Sequence, residues 1–108
     1  MPRGVRALSL REIFARNVRL VRVNAGISQE RMANDAGLDR TFVGTLERGV
    51  RNISIDNIEL IARSIGEPAH ELLDPDLPRR RGLDETLRRA PRTQRPYTSA
   101  PRTRKPRS

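Results

Sequence analysis

The chain has 108 residues, enough for one small domain, and its 22 basic and 13 acidic side chains give a formal net charge of +9. A positive charge of this size favours a polyanionic partner such as nucleic acid. The sequence has no cysteine, no secretory signal and no apolar run near the roughly 20 residues that span a bilayer, so we expect a cytoplasmic protein without disulfides, thiolate metal sites or a membrane partner.

Residues 9–26 predict a first amphipathic helix. Ser9 and Glu12 form the pattern of a capping box, in which each side chain binds a backbone N–H of the other residue. Gly26 ends the helix. Its apolar side chains recur at helical spacing: Leu10, Ile13, Phe14, Val18 and Val21.

Two short helices follow, separated by a glycine. Ser28 is a good N-cap for a second helix over residues 29–36. Gly37 supplies the left-handed conformation that a tight helix exit needs. Asp39 can cap a third helix over residues 40–48.

A fourth and a fifth helix complete the predicted domain. Ser54 caps the fourth, and Gly66 ends it. Its apolar face contains Ile55, Ile58, Ile61, Ala62 and Ile65. Pro68 suits the first position of a short fifth helix that contains Leu72 and Leu73. No segment before Asp74 predicts a strand.

Composition divides the chain. Residues 74–108 carry 11 basic and 4 acidic side chains, whereas residues 1–73 carry 11 and 9. The C-terminal part is also rich in proline and leaves little apolar surface to bury. We therefore predict a flexible N-terminal segment (1–8), a helical domain (9–77) and a disordered Arg/Pro-rich tail (78–108).

The second and third helices with Gly37 between them fit a helix-turn-helix, in which two helices cross steeply over a short turn. Ala33 is the small residue where the helices touch, and Val43 and Leu46 face inward. A polar stripe remains on the outside of the third helix: Arg40, Thr41, Gly44, Thr45 and Arg48. Such a helix fits the major groove, where its N-terminal residues reach base edges.

Several spaced motifs resemble the repressor–Cro superfamily of helix-turn-helix regulators, also called the XRE family. They are Ser28-Gln29-Glu30, Ala36-Gly37-Leu38, Thr41-Phe42-Val43 and Leu46-Glu47-Arg48-Gly49, and the similarity covers about residues 10–73. The resemblance implies an all-α, five-helix lambda-repressor-like domain that binds double-stranded DNA as a homodimer.

The same resemblance implies roles for single residues. The base-reading positions are Arg40, Thr41 and Thr45. The positions that touch the sugar-phosphate backbone are Gln29, Arg48, Arg51 and Asn52. Arg22 and Glu47 match an arginine–glutamate brace between the first and third helices. Gly44 departs from the larger or polar residue that is usual there, and a glycine in mid-helix costs about 1 kcal/mol relative to alanine.

No catalytic set, glycine-rich phosphate loop or metal-ligand spacing occurs, so we expect neither an enzyme nor a cofactor or metal. We expect a sequence-specific transcription regulator, either a repressor or an autoregulatory controller, with Leu72 and Leu73 as its dimer surface. The short chain leaves no effector domain, so no small-molecule effector is implied.

Two alternatives belong to other classes. An antitoxin-like or adaptor module with the same fold should expose Leu, Met or aromatic side chains on the third helix, which here is polar. An RNA-binding tail would need aromatic residues for base stacking, and only Tyr97 is present there.

Overall fold

The computed structural model of the protein describes residues 7–88. This part of the chain is entirely helical, without a strand, which confirms the predicted fold class. Its elements are α1 (Leu10–Asn24), α2 (Gln29–Ala36), α3 (Arg40–Glu47), α4 (Ile55–Ser64), a 3₁₀ helix (Ala69–Leu73) and α5 (Leu77–Arg81). Among residues 7–88, no helix is long and apolar enough to cross a membrane.

The first four helices begin where side-chain caps were predicted. The capping box is complete, because Ser9 N–H donates to Glu12 Oε1 at 2.9 Å and the Glu12 N–H donates to Ser9 Oγ at 3.1 Å. The α2, α3 and α4 caps are Ser28, Asp39 and Ser54. Gly37 ends α2 with φ 72°, a left-handed conformation that favours glycine, and so fixes the tight turn into α3.

The core forms where α2 packs against both α3 and α4, while α1 packs against α3 and the 3₁₀ helix. Its fully buried apolar side chains include Val18, Ile27, Met32, Val43, Ile61, Leu72 and Leu77. Because α3 is held on its inner side by Val43 and Leu46, its opposite side is left for solvent.

The predicted fifth helix is a single 3₁₀ segment, and its burial corrects the predicted dimer surface. Leu72 is 0% exposed, because the 3₁₀ helix packs on α1 and α4 and turns this side chain into the core. Leu73 is partly buried against the same core. The prediction that Leu72 forms a dimer surface is therefore wrong, and Leu73 offers only a fraction of its side chain.

The predicted start of the disordered tail at residue 78 is also wrong, because residues 74–88 fold back on the domain. We call this segment the C-terminal clasp. Leu77 and Pro78 are buried, and Leu83 packs against the core. The buried Asn17 side chain fixes the turn into the clasp by donating to the carbonyls of Leu72 (2.9 Å) and Asp74 (2.8 Å).

The end of the clasp runs along α1. Asp84 N–H donates to Asn24 Oδ1 at 2.9 Å, and Arg19 donates to the Leu87 carbonyl at 3.2 Å. The segment from 84 to 87 thus spans the α1 surface between positions 19 and 24. This is where Leu20 and Val23 lie, and both are buried.

The charges of the clasp are balanced and paired, which a disordered basic tail would not require. Residues 74–88 carry four basic and four acidic side chains. Arg80 binds Glu71 at 2.6 Å and Asp74 at 2.8 Å, and Arg81 binds Glu67 at 2.6 Å. The hydrogen bond from Arg80 lowers the pKa of Glu71. The pKa of Asp74 is lowered by the backbone N–H of residue 76 and by Arg80.

Residues 1–6 and 89–108 lie outside the described residues, so the flexible start and the remaining part of the disordered tail stay predictions. Residues 89–108 carry seven basic side chains and no acidic one. The net positive charge of residues 74–108 therefore lies entirely in residues 89–108, beyond the clasp.

Candidate nucleic-acid interface

A buried ion pair attaches α3 to α1. Arg22 binds Glu47 through two hydrogen bonds, Nε to Oε2 at 2.6 Å and Nη2 to Oε1 at 2.8 Å. The two side chains are only 5% and 3% exposed. Arg22 also donates from Nη1 to the Ile27 carbonyl at 2.7 Å, just before α2. One guanidinium group therefore connects α1, the start of α2 and the end of α3.

Gln29 belongs to the same network. Its Nε2 donates to Glu47 Oε1 at 2.9 Å, so Glu47 binds both Arg22 and Gln29. The side-chain amide nitrogen of Gln29 is thus already engaged within the protein. The Arg31 N–H donates to the Ser28 cap at 3.0 Å. The N–H groups of Gln29 and Glu30 lie ahead of it at the N-terminus of α2, a position suited to an anion.

Arg40, Thr41 and Arg48 lie exposed on α3 and at its C-terminal cap, as the polar stripe predicted. The Arg40 side chain lies back along the helix over Gly44. A Cβ atom on Gly44 would lie 3.3 Å from Arg40 Nη1 and would meet no other neighbouring side chain within 4 Å. Gly44 thus leaves room for the guanidinium of Arg40.

Thr45, predicted as a base-reading position, has its hydroxyl engaged within the protein. Its hydroxyl donates to the Phe42 carbonyl at 2.9 Å and accepts from Arg51 Nε at 2.7 Å. The Arg51 guanidinium also lies 4.6 Å from the centre of the Phe42 ring, a cation–π distance. Arg51 is therefore held against α3.

Asn52 is exposed, and its side-chain carbonyl accepts a hydrogen bond from Arg11 Nη2. Arg11 was not predicted to belong to this surface. It lies in the first turn of α1, 41 residues from Asn52, and no local pattern in the sequence connects the two positions. It adds a fourth arginine to those of α3 and the following loop.

This surface is cationic. Arg11, Arg40, Arg48 and Arg51 are all exposed. The Glu47 carboxylate is turned inward to Arg22. An exposed face of arginine and threonine around one helix is suited to phosphate oxygens and to polar base edges.

The sequence profile of the family described as "Helix-turn-helix" matches residues 18–72, a segment that runs from the middle of α1 to the end of the 3₁₀ helix. The chain belongs to this family. The match confirms the resemblance to the Cro–repressor (XRE) regulators, and the matched segment contains α2 and α3.

Other members of the helix-turn-helix family are similar in sequence. A protein described as a hypothetical transcription factor of Neisseria meningitidis is 50% identical over 66 residues, 61% of this chain and 62% of that protein. The chain therefore matches a little under two thirds of that relative. Control protein C.BamHI of Bacillus amyloliquefaciens is 40% identical over 67 residues, 61% of this chain and 83% of the relative.

Solved structures of family members have the same fold. The hypothetical transcription factor NHTF from Neisseria superimposes with a TM-score of 0.64 and 42% identity over 77% of this chain and 97% of that one. The restriction-modification controller protein C.AhdI from Aeromonas hydrophila gives a TM-score of 0.56 and 40% identity over 57% and 94% of the two chains. The chain is thus a helix-turn-helix protein, and the proteins similar to it are named transcription factors and restriction-modification controllers.

Proposed function

We propose that this protein is a sequence-specific transcription regulator that reads the major groove of duplex DNA with α3. The observation that carries the proposal is the exposed stripe of Arg40, Thr41 and Arg48 on a helix that a buried ion pair locks to the rest of the domain. Recognition needs both parts, because base-edge hydrogen bonds discriminate only when the side chains that make them are held in a fixed position.

Base reading is assigned to the N-terminal part of α3. Arg40 and Thr41 are the first two residues of the helix, which is the end that enters the groove in this class of motif. Arg40 reaches a base edge by leaving its position over Gly44. Thr45 contributes its methyl group and positions Arg51 beside it.

Backbone contacts are assigned to the edges of the same surface. The backbone N–H of Gln29 lies at the start of α2, where a helix N-terminus attracts a phosphate. Arg48 has an exposed side chain at the C-terminal cap of α3. Arg51 and Asn52 extend the surface along the loop, and Arg11 joins them through its contact with Asn52.

We propose a homodimer in which the surface between the loop after α3 and the start of α4 meets its own copy. Two recognition helices of a symmetric dimer read half-sites roughly 34 Å apart. With Leu72 in the core, the exposed apolar candidates at this place are Ile55, which is 79% exposed, and Val50. Sedimentation of the Ile55→Asp variant should show monomers. Dissociation by Leu60→Asp instead would place the interface on the other side of α4.

The biological role proposed is control of an operon, as a repressor or an autoregulatory controller. Relatives with 35–41% identity are named control proteins, and solved relatives are named restriction-modification controllers. The antitoxin-like or adaptor alternative is not favoured, because the exposed part of α3 is polar and cationic.

The experiment is a selection of bound sequences from a random duplex pool, followed by titration of the selected operator and a scrambled duplex. Arg40→Ala should weaken operator binding by about 1–3 kcal/mol and relax the preference at one base pair in each half-site. Arg63→Ala is the matched control, since Arg63 is an exposed arginine on α4. Failure of the wild-type protein to enrich any sequence would refute the proposed function.

A further inference from the structure

Gly44 leaves a gap of about the size of a methyl group in the middle of α3, and in the free protein this residue is buried beneath the Arg40 side chain. It lies one turn after Arg40 and next to Thr45. Mid-helix glycine is unfavourable by about 1 kcal/mol relative to alanine. The fold does not require it, because no neighbouring side chain other than Arg40 would touch an added Cβ atom, and its φ angle is not in the left-handed region. Apart from the room that it leaves for the flexible end of Arg40, the packing of the free protein gives no reason for a glycine at this position.

A flexible side chain lies over the gap. The single neighbour is the Nη1 atom of Arg40, 3.3 Å from the position of a Cβ atom. Arg40 is exposed, and its guanidinium is the far end of a flexible side chain. When Arg40 extends toward a base, the Cα surface of Gly44 becomes open to the groove.

The chemistry of that surface selects its partner. The N–H of Gly44 is engaged with the carbonyl one turn earlier in the helix, so the residue offers only C–H groups. A hydrogen-bonding atom of a base edge that is placed against this surface would lose its hydrogen bond to water and gain none in return. The only apolar group on the major-groove edge of the four bases is the C5 methyl group of thymine.

We propose that Gly44 is a specificity-determining residue that accepts the C5 methyl group of one thymine in each half-site. The inference rests on the proposed function, namely that α3 reads the major groove. It adds an interaction that the polar stripe alone does not provide, and it identifies the base.

The test uses the selected operator with each thymine replaced in turn by deoxyuridine, which removes the methyl group and keeps every hydrogen-bonding atom. For the wild-type protein, one such replacement in each half-site should raise Kd about fourfold, the factor that corresponds to burial of one methyl-sized group at about 0.8 kcal/mol. Replacements at other thymines should have smaller effects.

The Gly44→Ala variant then tests the gap itself. Its melting temperature should rise by about 4–8 °C, because alanine favours the helix by about 1 kcal/mol and only the flexible end of Arg40 must shift. Binding to the thymine operator should weaken at least tenfold, since the new methyl group meets that of the base. On the operator with deoxyuridine at the identified position, the variant should regain most of this affinity. Asn34→Ala, an exposed change on α2 that also favours helix, is the control and should leave binding unchanged.

The outcomes separate the two proposals. If the wild-type protein selects an operator but no deoxyuridine replacement changes its affinity, the thymine interaction is refuted while the regulator function stands. Equal weakening of the Gly44→Ala variant on thymine and deoxyuridine operators would also overturn it, because Gly44 would then act through something other than the methyl group. If no operator is selected at all, the proposed function fails, and this inference fails with it.

Discussion

Replacement of Glu47 by alanine should be among the most damaging single changes in this protein. The carboxylate accepts hydrogen bonds from Arg22 Nε and Nη2 and from Gln29 Nε2. Both members of the ion pair are almost fully shielded from water, at 5% and 3% exposure. Without Glu47, the positive charge of Arg22 stays buried, and within residues 7–88 the Ile27 carbonyl is its remaining hydrogen-bond partner.

The burial of the Arg22–Glu47 pair determines how much stability the Glu47→Ala variant loses. Loss of one partner of a buried ion pair costs about 3–5 kcal/mol, whereas an exposed pair contributes about 0–1 kcal/mol. A domain of this size changes its melting temperature by about 4–8 °C per kcal/mol, so the Glu47→Ala variant should melt at least about 12 °C lower. Glu59→Ala is the matched control, because the Glu59–Arg63 pair is exposed and joins residues four apart on α4. It should shift the melting temperature little.

The assay is thermal unfolding by circular dichroism, together with operator titration below the melting temperature of each variant. A second variant, Arg22→Met with Glu47→Leu, removes both charges and should recover part of the missing stability, because no unpaired charge remains buried. Its operator affinity should stay low, since α3 and Gln29 no longer have the group that positions them. If Glu47→Ala melts like Glu59→Ala, the pair does not stabilise the fold and this reasoning is refuted.

Three further predictions concern the C-terminal part. A chain that ends at residue 88 should melt like the full protein. A chain that ends at residue 76 should lose at least about 2 kcal/mol of folding free energy, because the fully buried Leu77 side chain alone contributes that much. Equal melting of the two chains would show that the clasp is dispensable. The pKa values of Glu71 and Asp74 are lowered, so their bonds to Arg80 stabilise the folded state above the ordinary carboxyl pKa, and this stability is lost as the pH falls through the lowered values. Arg80→Ala should therefore flatten the acid side of a plot of melting temperature against pH. An unchanged slope would contradict this. Deletion of residues 89–108 should reduce the slope of log affinity against log salt by about 0.9 for each DNA phosphate that these residues neutralise, and a change in operator preference would contradict a purely electrostatic role.

Local signals predicted the helices well, because caps and apolar spacing act within a few residues. Ser9, Ser28, Asp39 and Ser54 all cap helices as expected. The clasp was missed because its partner surface is remote in sequence. Leu20 and Val23 extend the buried surface of α1 beyond the stripe that the periodicity followed, and this wider buried surface implies a further covering segment.

The candidate site was predicted as a set of positions rather than as a set of interactions. The resemblance to the XRE family implied the Arg22–Glu47 pair, which the structure places in contact. The hydrogen bonds of Gln29 and Thr45 within the protein could not be predicted, since each depends on how a side chain from another segment lies against it. The Arg11–Asn52 hydrogen bond depends in the same way on the loop that follows α3.

The distribution of charge separates recognition from general attraction to DNA. Residues 1–73 have 11 basic and 9 acidic side chains, the clasp has four of each, and residues 89–108 have seven basic and none acidic. Arg80 and Arg81 of the clasp are paired with Glu71, Asp74 and Glu67, and position 87 lies against α1. A chain of twenty residues from that point spans at most about 70 Å when fully extended, enough to reach phosphates beyond one half-site. Deletion of residues 89–108 should therefore weaken binding to operator and scrambled duplexes by the same factor, whereas Arg40→Ala should weaken binding to the operator alone.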